Sequence, residues 1–154
     1  MVTLDPMNQE EFQQYMRYAI KDYAKDKIIS GNWSEEEAMD RSEQEFSRLL
    51  PKGEKTEFNH LYSIFDEEQL LGMIWIAPES STNYKEGFIY DFVIWEKYQG
   101  QGYGKQAMKE IEMKAKELGM EKIRLHVFGH NQVARGLYEK MGYEITNIKM
   151  AKSI

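Results

Sequence analysis

A chain of 154 residues, 42% hydrophobic and 30% charged, is one folding unit of ordinary globular composition. The absence of cysteine excludes disulfides, thiolate zinc sites and a thioester on the enzyme, and His60, His126 and His130 lack metal-ligand spacing, so no metal is expected. With 20 basic residues against 26 acidic ones the net charge is −6, which disfavours a nucleic-acid partner and suits a cationic substrate.

No repeat or linker divides the chain, so residues 1–154 are read as a single domain. Val2–Leu4 is a short strand candidate. Beyond Pro6, Asn8 and Glu11 make a capping-box-like pair for a helix whose residues Phe12, Tyr15, Met16, Ala19, Ile20, Tyr23 and Ala24 recur at helical spacing. A second helix is expected from Ser34, where Ser34 and Glu37 match the stricter capping box, Trp33 can staple onto Ala38, and Pro51 marks the end. Its acidic first turn reads as a solvent face matched to the helix dipole.

Three strands follow, His60–Asp66, Leu70–Ala77 and Phe88–Trp95, the first two joined as a hairpin across Glu67–Gln69. After Gly104 a helix runs to Leu118, with Gly119 as its stop. Ile123–Phe128 is another strand, and a helix capped by Asn131 carries Ala134, Leu137, Tyr138 and Met141. Tyr143–Ile145 and Ile148–Met150 read as closing strands. The strand-helix-strand unit from Phe88 to Phe128 implies a parallel pair with a right-handed crossover. The longest apolar run, Leu70–Ala77, is far short of the roughly 20 residues that cross a bilayer, so no membrane partner is expected. Asp5 and Glu10 interrupt the place of a secretory segment, and the expected compartment is the cytoplasm.

The segment that carries chemistry is Gln99-Gly100-Gln101-Gly102-Tyr103-Gly104, between a strand and a helix. Glycines there remove the Cβ atoms that keep a ligand from the backbone, so successive amides can meet one anion at the positive end of the helix. A flexible connection is the alternative. Neither the Rossmann spacing nor the Gly-Lys-Ser/Thr of a P-loop is present, since Gly104 is followed by Lys105 and Gln106.

Here the sequence resembles the GNAT superfamily of acetyl-CoA-dependent N-acetyltransferases. Gln99, Gly102 and Gly104 supply its acyl-CoA motif, and a second block follows in register with Leu125, Val127, Asn131, Ala134, Leu137-Tyr138 and Gly142-Tyr143. The resemblance covers nearly the whole chain. It implies an α+β, three-layer αβα fold around a mixed sheet, with element order β-α-α-β-β-β-α-β-α-β-β. It also implies acetyl-CoA as co-substrate, its pyrophosphate on the amides from Gln99 through Gly100, Gln101, Gly102, Tyr103 and Gly104 to Lys105, with Asn131 beside them. Backbone groups at Phe92, Val93 and Ile94 are expected to pair with pantetheine where a bulge opens the strand.

Three residues are catalytic candidates. Tyr138 matches the tyrosine that hydrogen-bonds the leaving thiolate, with a plain core aromatic as the alternative. His126 stands where related bacterial enzymes carry a glutamate base, and imidazole titrates near neutrality; a structural histidine is equally consistent. Asp91, a lone charge inside an apolar run, is the rival base or a paired structural carboxylate. Glu86 is a weaker base candidate, and Trp75 and Trp95 fit either an acceptor pocket or the sheet core. The expected reaction is acetyl transfer to an amine within a ternary complex. A silent acyl-CoA sensor and a partner-binding domain are the alternatives, the acceptor is unspecified, and a homodimer stays open.

Overall fold

At the head of the first helix the sequence signal is realised in full: Asn8 Oδ1 accepts from the Glu11 amide at 2.8 Å, and Glu11 Oε1 accepts from the Asn8 amide at 3.0 Å. The computed structural model describes residues 1–154. In chain order the elements are β1 (Val2–Pro6), α1 (Gln9–Ile29), α2 (Glu35–Leu49), β2 (His60–Asp66), β3 (Gln69–Ser80), β4 (Asn83–Ile94), α3 (Tyr103–Glu117), β5 (Lys122–Leu125) and α4 (Gln132–Lys140). The strands form one sheet in the order β1-β2-β3-β4-β5. Only β4 and β5 run parallel, as the α3 crossover requires.

Alternation along the strands gives each sheet face its own apolar set. Ile64, Ile74, Ile76 and Ile89 pack with Met108 and Ile111 of α3. On the other face Leu61, Met73, Trp75 and Val93 pack with Phe12, Tyr15 and Ala19 of α1 and Phe46 of α2. The result is the α+β, three-layer arrangement. No helix is long and apolar enough to cross a membrane.

Where β4 leaves β5, one feature decides the rest of the molecule. The β3–β4 register passes from Ile76↔Ile89 to Trp75↔Asp91, so Tyr90 is an extra, bulged residue. The β4–β5 ladder ends at Ile89↔Leu125, one step before that bulge. Beyond it the two strands diverge. On that same side of the bulge, a Cβ on Gly72 would fall 1.9 Å from the Val93 carbonyl oxygen, so β3 and β4 approach as only glycine permits.

Three expectations are corrected. The strand expected over Ile123–Phe128 stops at Leu125, because β4 bends away at Tyr90 and offers no further partner, which leaves His126 outside the ladder. The closing strands at Tyr143–Ile145 and Ile148–Met150 are absent, so the sheet has five strands rather than seven. Each triplet is too short to bury much: Ile145 is 54%, Ile148 67% and Met150 91% exposed, and no sheet ladder joins them to β5. The Ser34 capping box does not close either, because Ser34 Oγ donates to Glu37 Oε2 at 2.7 Å instead of accepting from the helix backbone.

Candidate active site

The glycine segment is shaped by two left-handed residues, Gly100 at φ 77° and Gly102 at φ 83°, conformations that disfavour a side chain. Gly102 is the N-cap of α3 and has no side chain to satisfy the helix, and no acidic residue stands in the first turn. The first amides of α3, at Tyr103, Gly104 and Lys105, therefore keep their hydrogens free at the positive end of the helix dipole. Gln99 ties the loop down, its Nε2 donating to the Ile94 carbonyl at 2.8 Å.

That bond also reports which way β4 faces. The Trp95 amide donates to Leu71 of β3 at 2.8 Å, and strand alternation puts Val93 on the same side. Phe92 and Ile94 therefore present their backbone groups to the edge that β5 has vacated. This corrects the expectation for Val93, whose backbone is committed to the sheet. The Phe92 amide is engaged by its neighbour, donating to Asp91 Oδ1 at 3.0 Å. Ile94 N and Phe92 O remain on the open edge.

A cleft of about 1260 Å³ runs from Gly100, Gly102, Gly104 and Lys105, past this edge, to α1. Asp91, His126, Asn131 and Tyr138 all line it. The side chains of Gln101 and Tyr103 do not; the Tyr103 hydroxyl donates to Asp66 Oδ2 at 2.9 Å, so these two can serve a ligand only through the backbone. Asn131 spends its Oδ1 on capping α4, accepting from the Ala134 amide at 3.2 Å. Glu86 is excluded from the site, since it faces Arg124 at 3.3 Å away from the cleft.

The acetyltransferase (GNAT) family model matches residues 10–143 of this sequence. The chain belongs to that family. Among its relatives are two Bacillus subtilis (strain 168) proteins named uncharacterized N-acetyltransferase, YycN, 42% identical, and YdgE, 37% identical, each aligned over 98% or more of both chains. The crystal structure of YycN superposes with a TM-score of 0.95, covering 100% of this chain and 99% of that one. PaiA N-acetyltransferase from Thermoplasma acidophilum, in complex with coenzyme A, shares the fold at TM-score 0.72 and 17% identity, covering 97% and 93% of the two chains. This GNAT chain is thus an acetyltransferase of a family that uses acetyl-CoA.

The GNAT site has distinct electrostatics at each candidate. Tyr138 is buried, and burial, then the charge of Asp91, pushes its hydroxyl well above the usual phenol range. No protein acceptor takes that hydroxyl. Asp91 is partly buried beneath α1, where Tyr15 donates to its Oδ2 at 2.7 Å. Burial raises its carboxyl to about 6, against the lowering effect of the Tyr15 and Phe92 bonds; Asp22 and Asp26 add to the rise. His126 lies at the rim with its ring edge-on to Phe128 at 4.8 Å, and desolvation, then Lys27 and Lys149, lowers its pKa. Burial thus moves the two candidate bases toward one another from opposite sides. Trp75 is buried and stacks on Tyr90 at 4.7 Å, serving the core and the cleft wall at once.

Sequence reasoning passed over Tyr15, Tyr18 and Asp22, reading the first as helix stripe only. The signal was present: these residues fall at i, i+3 and i+7, so an acidic side chain shares a face with two tyrosines.

Proposed function

We propose that this GNAT domain transfers the acetyl group of acetyl-CoA to a primary amine by direct attack in a ternary complex. One observation carries the reading: the uncapped start of α3, the open edge of β4 and the unengaged Tyr138 hydroxyl meet in a single cleft. Acetyl-CoA supplies a thioester carbonyl that is already reactive toward amines. The free amides at Tyr103, Gly104 and Lys105 fit a pyrophosphate, since Gly102 presents open space where a side chain would stand. Ile94 N and Phe92 O fit an extended pantetheine, added to the sheet edge as one more strand.

Asp91 is the base in this reading and Tyr15 positions it. As nitrogen bonds to the acetyl carbon, Asp91 takes the proton the amine loses, and Tyr138 donates a hydrogen bond to the sulfur as its bond to carbon breaks. A phenol held so far above its usual range stabilises the departing thiolate rather than protonating it outright. Asp91 is favoured over His126 because it adjoins Phe92 on the very edge where the thioester would lie, whereas His126 is at the rim. Positioning of the two substrates supplies the remainder of the rate.

The test is calorimetry with acetyl-CoA followed by a CoA-release assay over a panel of amines. Saturable binding and amine-dependent release are expected. Binding without release for any amine would replace the enzyme by an acyl-CoA sensor.

A further inference from the structure

Four carboxylates line the cleft on the side away from the glycine loop, and they differ in their partners. Glu45 is ion-paired with Arg48 at 2.6 Å, and Asp26 Oδ1 is within hydrogen-bond distance of His130 Nε2 at 2.7 Å. Asp22 and Asp91 pair with no lysine, arginine or histidine. Asp91 has the Tyr15 hydroxyl as its side-chain partner, and the Tyr18 hydroxyl, four positions before Asp22 on α1, favours the ionised form of that carboxylate. Both carboxylates are also drawn out of water, and desolvation is the largest influence on each. A desolvated carboxylate with no cation is unfavourable, and a cation brought by a ligand removes the deficit.

The arrangement is linear. Asp22 is seven residues beyond Tyr15 on α1, which places it about 10 Å along the helix from the Tyr15–Asp91 bond. Aromatic rings complete the walls, with Tyr18 edge-on to Trp95 at 5.2 Å and Tyr90 stacked on Trp75. Such faces attract ammonium groups. The nearby cations are otherwise engaged or distant. Lys27 Nζ is over the rings of Tyr23 and Trp33 at 5.5 and 5.2 Å, Lys149 lines the cleft near His126 and is salt-bridged to neither Asp22 nor Asp91, and Lys25 and His130 reach Asp22 only through space.

We infer that the acceptor carries two basic nitrogens, one that gives up its ammonium proton beside Asp91 and attacks as the free amine, and a second, still protonated and a few carbon atoms away, held by Asp22 within this aromatic wall: an α,ω-diamine or longer polyamine. The inference rests on the proposed acetyl transfer for its orientation, and on the unpaired carboxylates for its chemistry. An amino acid would bring its own carboxylate against Asp22 and is disfavoured.

Three probes of similar length separate the outcomes: α,ω-diaminobutane, pentylamine and γ-aminobutyrate, titrated calorimetrically into the protein saturated with CoA. The diamine is expected to bind at least about ten-fold tighter than pentylamine, with γ-aminobutyrate weakest. Asp22→Asn, checked for folding by circular dichroism, is expected to bring the diamine down to the level of pentylamine, and Asp22→Glu to restore most of its advantage. Equal affinities, an advantage that survives Asp22→Asn, or no binding of any probe overturns the inference. Binding is read without acetyl-CoA, so a diamine that binds tightly yet is never acetylated counts against the proposed reaction and leaves the diamine preference standing.

Discussion

The two ends of the cleft are built from different materials. The end proposed for the coenzyme is main chain: glycines in the left-handed region, an uncapped helix and a vacated strand edge. The acceptor end is side chain, assembled from α1, α2 and β4 across about seventy residues of sequence, as the Tyr15 to Asp91 bond spans 76 positions. On the proposed reading, main-chain recognition serves a ligand part that is the same in every reaction, the pyrophosphate and its arm. Side-chain recognition leaves the other end free to take whatever amine its carboxylates and rings select.

The contrast is broken most directly by Gly102→Val. A branched residue at φ 83° strains the loop and fills the open space, so CoA affinity is expected to fall by at least about a hundred-fold in a protein that still folds. Calorimetry beside circular dichroism checks it; unchanged affinity would mean the coenzyme end is not made of backbone. The next effect belongs to the acceptor end. Asp91→Asn is expected to lower kcat/KM by about a hundred-fold or more and to abolish the fall in rate below pH 6, while His126→Gln keeps that limb. Only the paired variants can decide this, because Asp91 is shifted up and His126 down, toward one another.

Asp91 also makes a stability prediction of definite sign. Its folded pKa, about 6, is raised above the reference 3.8, so its contribution is complete below the lower value and is lost as pH rises through the higher. Asp91→Asn should therefore melt above the wild type at about pH 8, with the gap closing toward about pH 4, in thermal melts across that range. Tyr138→Phe keeps the ring and removes the hydroxyl; turnover is expected to fall about ten-fold to a hundred-fold with CoA affinity held, and wild-type turnover would return Tyr138 to the core. The smallest effect is at Tyr15→Phe. Losing the bond that favours ionised Asp91 should move the acid limb of kcat/KM to higher pH, whereas a purely structural Tyr15 would leave that limb in place.

The backbone of the end proposed for the coenzyme was legible in the sequence for the same reason that it is main chain. Backbone conformation is written locally, in residues such as Gly102 that disfavour alternatives, and Gln99 to Lys105 is contiguous. The acceptor end was not, because Tyr15 on a helix looks identical whether its hydroxyl is buried in apolar core or bonded to Asp91. Helices and central strands followed from their apolar period. The closing strands did not form because Tyr143–Ile145 and Ile148–Met150 satisfy a strand's composition without a buried face to hold them. The early end of β5 was equally hidden, since it depends on Tyr90 in another strand.

Tyr90 also changes the phase of its strand. Side chains alternate with a period of two, so if β4 were regular, Ile89, Asp91 and Val93 would all point toward α3. The extra residue resets the count: Ile89 packs on the α3 side, but so do Phe92 and Ile94, and Val93 joins the opposite layer with Trp95. Asp91 is thereby turned out of an apolar interior and delivered beneath Tyr15. One strand behaves as two half-strands of opposite parity: a strand that kept Tyr90 but lost the bulge would drive a carboxylate toward Met108 and Ile111 and a valine's bulk with it, whereas deleting Tyr90 would keep every facing and remove only the bend.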